Sequence, residues 1–295
     1  HMTDQFRIAG GTIPGRAHIG RGRLLIGRNN QDFFGWKQSK TFSVAVVCDG
    51  CGSGRASEVG ATLGTHYVLD AIMTHAEKLG FARARSIGEY DLKRLLKRAS
   101  ADVVTRLGKT VELMGGERRQ MIREHLLFTI VGAVVTDSVV AVFSRGDGLW
   151  GINGELHELG PFLGNAPPYL AYDLFEKGEL PAEAHETEGF ELETLRPTSE
   201  VETVVLATDG ARDYIAAEKS RIPGLRKRVG AFSLFWEKNR YVENSDAIRR
   251  QLALVNGQNA HIDDEGQLSW DSGHLPDDTT VVVLHKELES PEADQ

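Results

Sequence analysis

Four apolar stretches of this chain each carry acidic residues at one end. The stretches 44–48 and 203–207 are followed by the Asp-Gly pairs at 49–50 and 209–210. The third stretch, 139–143, is followed by SRGDG. The fourth, 279–284, is preceded by Asp277 and Asp278. Short valine-rich runs of this kind are typical of buried strands. An Asp-Gly pair after one strand usually forms only a turn. Its repetition at several strand ends favours a single acidic site.

The order of the predicted elements indicates an α+β domain. They are a strand over 41–48, helices over 56–80 and 91–114, and a hairpin formed by 129–135 and 139–143. One strand followed by two helices and a hairpin does not fit a doubly wound parallel sheet, in which strands and helices alternate. We expect one domain over residues 3–287.

The second half of the chain is predicted mainly from turn residues and caps. Residues 157–200 contain several prolines and scattered acids, which predicts an irregular surface segment. Long loops are often functional, and the sequence leaves open whether this one forms a substrate flap. We expect short helices from Ala211 and after a capping Ser245, with polar turns over 256–275.

The two ends of the chain have simple interpretations. Residues 279–288 are expected to close the domain as a strand, and the acidic tail 288–295 is expected to be disordered. His1 and Met2 resemble the remnant of a cleaved tag.

Composition excludes several classes of partner. A formal net charge of −8 argues against a nucleic acid bound through its phosphates. No apolar run approaches the roughly 18 to 20 residues that span a bilayer, and no signal sequence opens the chain, so we expect a cytoplasmic protein with no membrane partner.

The only two cysteines are Cys48 and Cys51, which are too few for a structural zinc site. A redox pair is one alternative. The alternation of side chains along the strand favours the other, in which Cys48 is a buried apolar residue.

A cluster of aspartates has a direct electrostatic consequence. Carboxylates within about 4 to 6 Å repel one another, so one of them takes up a proton unless cations lie between them. Carboxylate and carbonyl oxygens are hard ligands that suit Mg²⁺ or Mn²⁺ better than Zn²⁺. If the strand ends converge, the sequence predicts a divalent metal site.

Five segments, spread over about residues 10–287, carry a recognisable pattern. They are GRNNQD (27–32), VAVVCDGCGSGRASEVGA (44–61), TIVGAVVTDSVVAVFSRGDG (129–148), VVLATDGARD (204–213) and DDTTVVV (277–283). In this order they resemble the motifs of the PPM family, the metal-dependent (type 2C) serine/threonine protein phosphatases, and in particular its bacterial branch. Each segment alone is a weak signal, whereas five in the family's order are specific.

The resemblance implies a fold and a site. The fold would be a four-layer α/β/β/α sandwich, with two antiparallel sheets packed face to face and helices outside. Two Mn²⁺ or Mg²⁺ ions would be bridged by Asp49, with the Gly50 carbonyl, Asp209 and Asp277 as further ligands. Asp277 is preferred to Asp278 because the family places a threonine three residues after the ligand.

Two further acids have implied roles. By the same resemblance, Asp32 would take part in catalysis through metal-bound waters, and Asp147 would help to hold a third, weaker ion found in some members. The reaction would be hydrolysis of phosphoserine or phosphothreonine by a water that bridges two metals, so neither Cys51 nor Ser53 is needed as a nucleophile.

The chain departs from the family pattern at several positions. Gly27 stands where the family usually has a phosphate-holding arginine, so Arg28 and Arg55 are the main candidates for that role, with Arg21 and Arg23 as alternatives. Other departures are Gln31 in place of a glutamate, Ser53-Gly54-Arg55 in place of G-G-H, Gly148 in place of a serine, and Cys51 in place of a histidine proposed as proton donor. His18 and His66 are candidates to replace that donor.

Two other interpretations stay open. One is a catalytically inactive relative that acts as a binding or sensing module, which the missing arginine would suit. The other is a phosphatase of the haloacid-dehalogenase type, but its D-x-D signature requires an acid at the position of Cys51. The expected partner is a phosphorylated protein, such as a Ser/Thr kinase or its targets, and the expected state is a monomer.

Overall fold

The computed structural model describes residues 6–84, 86–176, 178–180 and 189–286. Residues 1–2, predicted to be a tag remnant, and 288–295, predicted to be a disordered tail, lie outside the described residues. The helices are α1 (Arg16–Ile19), α2 (Glu58–Lys78), α3 (Glu89–Met114), α4 (Arg118–His125), α5 (Ala211–Ala216), α6 (Leu234–Glu237), α7 (Arg240–Glu243) and α8 (Ala247–Val255). The strands are β1 (Phe6–Ile13), β2 (Gly20–Arg21), β3 (Leu24–Leu25), β4 (Asp32–Gln38), β5 (Phe42–Gly50), β6 (Phe128–Thr136), β7 (Val139–Arg145), β8 (Gly148–Ile152), β9 (Glu155–Leu159), β10 (Glu191–Pro197), β11 (Thr203–Ala207), β12 (Asn259–Ile262), β13 (Leu268–Asp271) and β14 (Thr279–Lys286).

Ten of the strands form two five-stranded sheets. One sheet has the order β1-β14-β11-β8-β9 and the other β10-β7-β6-β5-β4. Every neighbouring pair in both sheets is antiparallel. The remaining four strands form the small hairpins β2-β3 and β12-β13.

Strand β5 shows how the layers are built. Val44, Val46 and Cys48 face α2 on the outside of the second sheet and belong to a core that also includes residues of α3. Ala45 and Val47 point the other way and pack against residues of β11 and β14 in the first sheet. Since successive side chains of a strand point to opposite faces, one continuous apolar run contributes to two cores. Cys48 is fully buried, as its place in the run predicts.

The first sheet has its own outer layer of helices. Val205 and Val283 face outward from it and pack with Tyr214 of α5, Phe235 of α6 and Leu252 of α8. The order of layers is therefore helices, sheet, sheet, helices. The predicted α+β sandwich is confirmed.

Three local predictions need correction. The segment 157–200 contains the strand β10, which pairs with β7, and a buried turn at Leu170–Leu174, so it is not wholly irregular. Residues 256–275 contain the hairpin β12-β13. Helix α8 has Asp246 rather than Ser245 at its N-cap, and that carboxylate makes ion pairs with Arg249 and Arg250 instead of capping the backbone.

Helix α2 approaches the second sheet closely because two of its residues are glycines. A Cβ on Gly64 would lie 2.2 Å from the Phe128 ring, and one on Gly60 would lie 2.3 Å from the His125 carbonyl. This close packing fixes the start of α2 beside the end of β5. None of the helices in the described ranges is both long and apolar enough to cross a membrane.

Candidate active site

The acids of the predicted site meet at one end of the sandwich. Asp32, which opens β4, is the cross-strand partner of Asp49 at the end of β5. In the first sheet the Thr208 N–H donates to the Thr280 carbonyl at 3.1 Å, which places the end of β11 beside the start of β14. A cavity of about 160 Å³ lies between them, lined by Gln31, Asp49, Gly50, Cys51, Gly52, Thr129, Asp147, Pro167, Tyr169, Asp209, Asp277 and Asp278.

Asp32 lies buried beneath this cavity with one oxygen bonded and the other free. Its Oδ2 accepts hydrogen bonds from the hydroxyls of Thr208 and Thr280, both at 2.7 Å. Its Oδ1 is buried and has no hydrogen-bond partner. Burial first, and then the negative charge of Asp278, raises the pKa of Asp32 well above its ordinary value.

Asp49 and Asp209 form the centre of the cluster. Burial, followed by the charges of Asp32, Asp209 and Asp277, raises the pKa of Asp49 well above its ordinary value. Asp209 Oδ1 is a second buried carboxylate oxygen without a partner. Two unsatisfied oxygens among repelling carboxylates are energetically costly unless cations or protons compensate them. The donor set therefore fits hard divalent ions.

The adjacent acids Asp277 and Asp278 have different surroundings. The Asp278 carboxylate is buried and accepts the N–H groups of Gly15 at 2.7 Å and Gln31 at 2.6 Å, and its Oδ1 lies 2.7 Å from His18 Nδ1. Asp277 lines the cavity, and the partial loss of water around its carboxyl together with the charge of Asp209 raises its pKa to about 6. Asp278 thus ties the loop in place, whereas Asp277 faces the acid cluster.

Asp147 joins the cluster from the turn between β7 and β8. It lines the cavity, and burial together with the charge of Asp209 raises its pKa to about 6, although Arg212 acts in the opposite direction. Gly50 is needed for a close approach, since a Cβ there would lie 2.8 Å from the Gln31 and Ser57 carbonyls. The structure therefore brings Asp32, Asp49, Gly50, Asp147, Asp209 and Asp277 to one place.

The carboxylates are close enough to interact but are not arranged as a closed ligand set. Among the described residues, no three His, Cys, Asp or Glu side chains converge in the positions that would hold a metal ion. Two observations therefore support a metal site: the unpartnered oxygens of Asp32 and Asp209, and the mutual repulsion of the acids, which a bound cation would relieve.

The two candidate arginines are placed differently. Arg28 is exposed at the rim of the cavity, where its Nη2 donates to the Gly52 carbonyl at 3.3 Å. Arg55 is exposed in the loop after β5 and does not line the cavity. Of the two, Arg28 is the one that contacts a residue lining the cavity.

The two candidate histidines also differ. His18 is buried and bonded to Asp278, so it supports the loop that carries Asp277. His66 is exposed on α2, with its ring 5.7 Å from that of Phe33, and is not among the residues that line the cavity.

Sequence reasoning missed the wall formed by Pro167 and Tyr169. Tyr169 is 6% exposed, and burial followed by the neighbouring Cys51 raises its pKa. The segment is held by Arg145, which is 2% exposed and whose Nε donates to the Pro168 carbonyl at 2.8 Å. Its Nη1 also donates to the Gly189 carbonyl at 3.0 Å. The apolar residues of 169–174, among prolines and acids, are the signal that could have shown this segment to be buried.

Comparison with known proteins agrees with this geometry. The sequence profile of Protein phosphatase 2C matches residues 15–253. The chain belongs to the protein phosphatase 2C family. The family places this chain among the protein serine/threonine phosphatases. No curated protein sequence matches it.

Several solved structures share the fold of this phosphatase. A bacterial serine phosphatase is 17% identical, with a TM-score of 0.54, and the match covers 99% of this chain and 100% of the other. Serine/threonine phosphatase Stp1 from Staphylococcus aureus is 18% identical, with a TM-score of 0.54 and 95% coverage of both chains. A serine/threonine phosphatase from S. agalactiae is 15% identical, with a TM-score of 0.50 and coverage of 96% and 100%. At these identities the likeness shows the fold.

Proposed function

We propose that this chain hydrolyses phosphoserine or phosphothreonine in a phosphorylated protein, such as a Ser/Thr kinase or its targets, and that it acts as a monomer with Mn²⁺ or Mg²⁺. The observation that carries the proposal is the acid cluster at the end of the sandwich, with unpartnered oxygens on Asp32 and Asp209. An isolated cluster of this kind weakens the fold. Its presence is accounted for if the acids bind cations that the reaction needs.

The residues of the cluster have separate roles in this proposal. Asp49, Asp209, Asp277 and the Gly50 carbonyl would hold two ions, and Asp147 would contribute to a third site. Bound divalent ions make a coordinated water acidic enough to attack near neutral pH and neutralise charge on the phosphoryl oxygens.

The protein's own side chains prepare the site for this chemistry. Thr208 and Thr280 fix one oxygen of Asp32, so that its other oxygen stays free as an acceptor that can orient a water. Arg28 adds a guanidinium at the rim, where it can bind a phosphate oxygen. Tyr169 and Pro167 close one side of the cavity and reduce the access of bulk water.

The test is phosphate release from a phosphothreonine peptide by the purified protein with Mn²⁺ and with Mg²⁺. We expect turnover that EDTA abolishes and that Asp209→Asn lowers by at least about 100-fold, as is usual for removal of a group that stabilises transition-state charge. Asp137→Asn is the matched control, because Asp137 is exposed in the turn between β6 and β7. Intact metal binding by calorimetry without any turnover would refute the proposal. Absence of divalent-metal binding would instead favour an inactive binding module.

A further inference from the structure

Exposed apolar side chains are concentrated on two small hairpins. Twelve large apolar residues are exposed in the described part of the chain, and half of them lie on or beside β2-β3 and β12-β13. We call these six residues the two-hairpin surface: Leu24, Leu25, Ile26, Ile262, Leu268 and Trp270. Leu24 and Leu25 are 67% and 80% exposed. A grouping of apolar side chains of this kind is typical of an interaction site.

The two hairpins contact each other. The Gln258 side chain accepts the Gly22 N–H at 2.9 Å and donates to the Gly20 carbonyl at 3.2 Å. A Cβ on Gly22 would lie 3.5 Å from Trp270 Cδ1, so the turn of the first hairpin lies against the indole. Ile262 is the cross-strand partner of Leu268, and Trp270 follows two residues later on the same face. The six side chains thus belong to neighbouring elements.

This surface continues to the rim of the active site. Ile26 is followed closely by Arg28, whose guanidinium donates to the carbonyl of Gly52, a residue that lines the acidic cavity. The next residue, Asn29, bonds Glu58 at the start of α2 at 2.8 Å. The chain from β3 to the site is therefore anchored at the mouth of the cavity.

Charge next to the surface differs from the charge of the whole chain. Residues 5–31 contain no acid and five arginines, although the formal net charge of the protein is −8. Arg21, Arg23 and Arg28 are exposed in this stretch. On the second hairpin, Asp263, Asp264 and Glu265 lie in the turn, at the end away from Gly22. Asp271 lies at the end near Gly22, where its carboxylate is 3.5 Å from His261 Nδ1. Three arginines thus outnumber one acid at that end. The part nearest the site therefore complements a negatively charged ligand.

The size of the cavity gives the reason for a second surface. At about 160 Å³ it is smaller than the roughly 300 to 1,000 Å³ of a pocket that binds a small molecule on its own. It can receive a phosphorylated side chain but not the residues on either side of it. Recognition of those residues must take place outside the cavity.

We propose that the two-hairpin surface binds the segment of the phosphoprotein substrate that flanks the phosphorylated residue, and that this segment is apolar and acidic. Leucine or aromatic side chains would pack on Leu24, Leu25 and Trp270, and acidic ones would meet the arginines of the first hairpin. This inference rests on the proposed function. It adds the class of sequence that the enzyme prefers.

The experiment uses Leu24→Ser/Leu25→Ser, with Leu113→Ser as the matched control, since Leu113 is 89% exposed on α3. Three probes are compared: a phosphothreonine peptide flanked by leucine, phenylalanine and glutamate, the same peptide with serine at the apolar positions, and p-nitrophenyl phosphate. For the apolar peptide we expect the double variant to raise KM about tenfold with kcat unchanged, a size typical of lost apolar anchors at an interface. Its hydrolysis of p-nitrophenyl phosphate should not change. On the serine peptide, variant and wild type should be equal.

Two results would overturn the inference. One is equal kinetics of the double variant and the wild type on the apolar peptide. The other is a wild-type dimer, measured by light scattering, that the double substitution dissociates, because a second copy would then cover the surface. If the wild type hydrolyses none of the probes, the proposed function fails. Fluorescence anisotropy of the labelled apolar peptide then tests separately whether the two-hairpin surface binds it. Equal binding by wild type and double variant would refute the inferred docking site.

Discussion

Replacing Asp147 by asparagine should stabilise the metal-free protein above pH 6. The pKa of Asp147 is raised from 3.8 to about 6 by burial and by the charge of Asp209. Each pKa unit corresponds to about 1.4 kcal/mol, so ionisation of Asp147 in the fold costs up to about 3 kcal/mol. Asparagine has nearly the same shape and no charge, and therefore removes this cost.

The sign of the effect depends on pH. Below pH 3.8 the carboxyl is protonated in both the folded and the unfolded chain, so Asp147 contributes no penalty. Between about pH 4 and pH 6 the folded chain holds the proton more tightly, and stability falls as pH rises through this window. Above pH 6 the penalty is complete. The advantage of the asparagine variant should therefore be absent at pH 3.5 and greatest at pH 8.

The assay is urea unfolding in EDTA at these two pH values, with the exposed Asp137→Asn as the control that should change neither. We expect Asp147→Asn to gain up to about 3 kcal/mol at pH 8. Added Mn²⁺ should reduce that gain, because cations relieve the same repulsion in the wild type. An equal effect of Asp147→Asn at both pH values, or a loss of stability at pH 8, would show that the acids do not repel one another as described.

Two further predictions concern residues that hold the site in shape. Arg145→Met should destabilise the protein by about 3 kcal/mol in urea unfolding, because it leaves the buried carbonyl of Pro168 and the half-buried carbonyl of Gly189 without their donor. Arg145→Lys keeps the charge but cannot reach both carbonyls at once, so it should also be destabilised. An unchanged midpoint in both variants would contradict this account. Gly210→Ala should lower both metal affinity and turnover, since its Cβ would lie 2.0 Å from the Asp278 carbonyl and force that loop away. Calorimetry and phosphate release measure the effect. The control is Gly88→Ala, whose Cβ would meet only Asp91 Oδ2 at 3.7 Å and which should bind metal and turn over like wild type.

Strong periodic patterns predicted the fold well. The helices expected over 56–80 and 91–114 are α2 and α3, and the expected hairpin is β6-β7. These elements have long apolar faces, and local pattern alone specifies them. The strand β10 and the hairpin β12-β13 have short, mixed sequences, and only pairing with a neighbouring strand defines them.

The candidate site likewise contains residues that local sequence features predict and residues that only tertiary contacts place. Asp49 and Asp209 were marked by Asp-Gly pairs after apolar runs, which are local features. Pro167 and Tyr169 carry no such mark, and they reach the cavity because the buried Arg145 ties their segment to the end of β7. Contacts between residues so far apart in the chain leave no periodic signal.

The sequence by itself determined the long helices, the valine-rich strands and which strand ends carry acids, because apolar periodicity and Asp-Gly pairs act over a few neighbouring residues. Only the tertiary structure decided that the Asp278 carboxylate is bonded to the backbone of Gly15 and Gln31. It also placed the arginine-rich hairpin β2-β3 beside β12-β13, with Arg28, three residues after β3, at the rim of the acidic cavity. The physical reason is that burial, hydrogen bonding and electrostatic repulsion depend on distances in space, and folding brings together residues more than 200 positions apart.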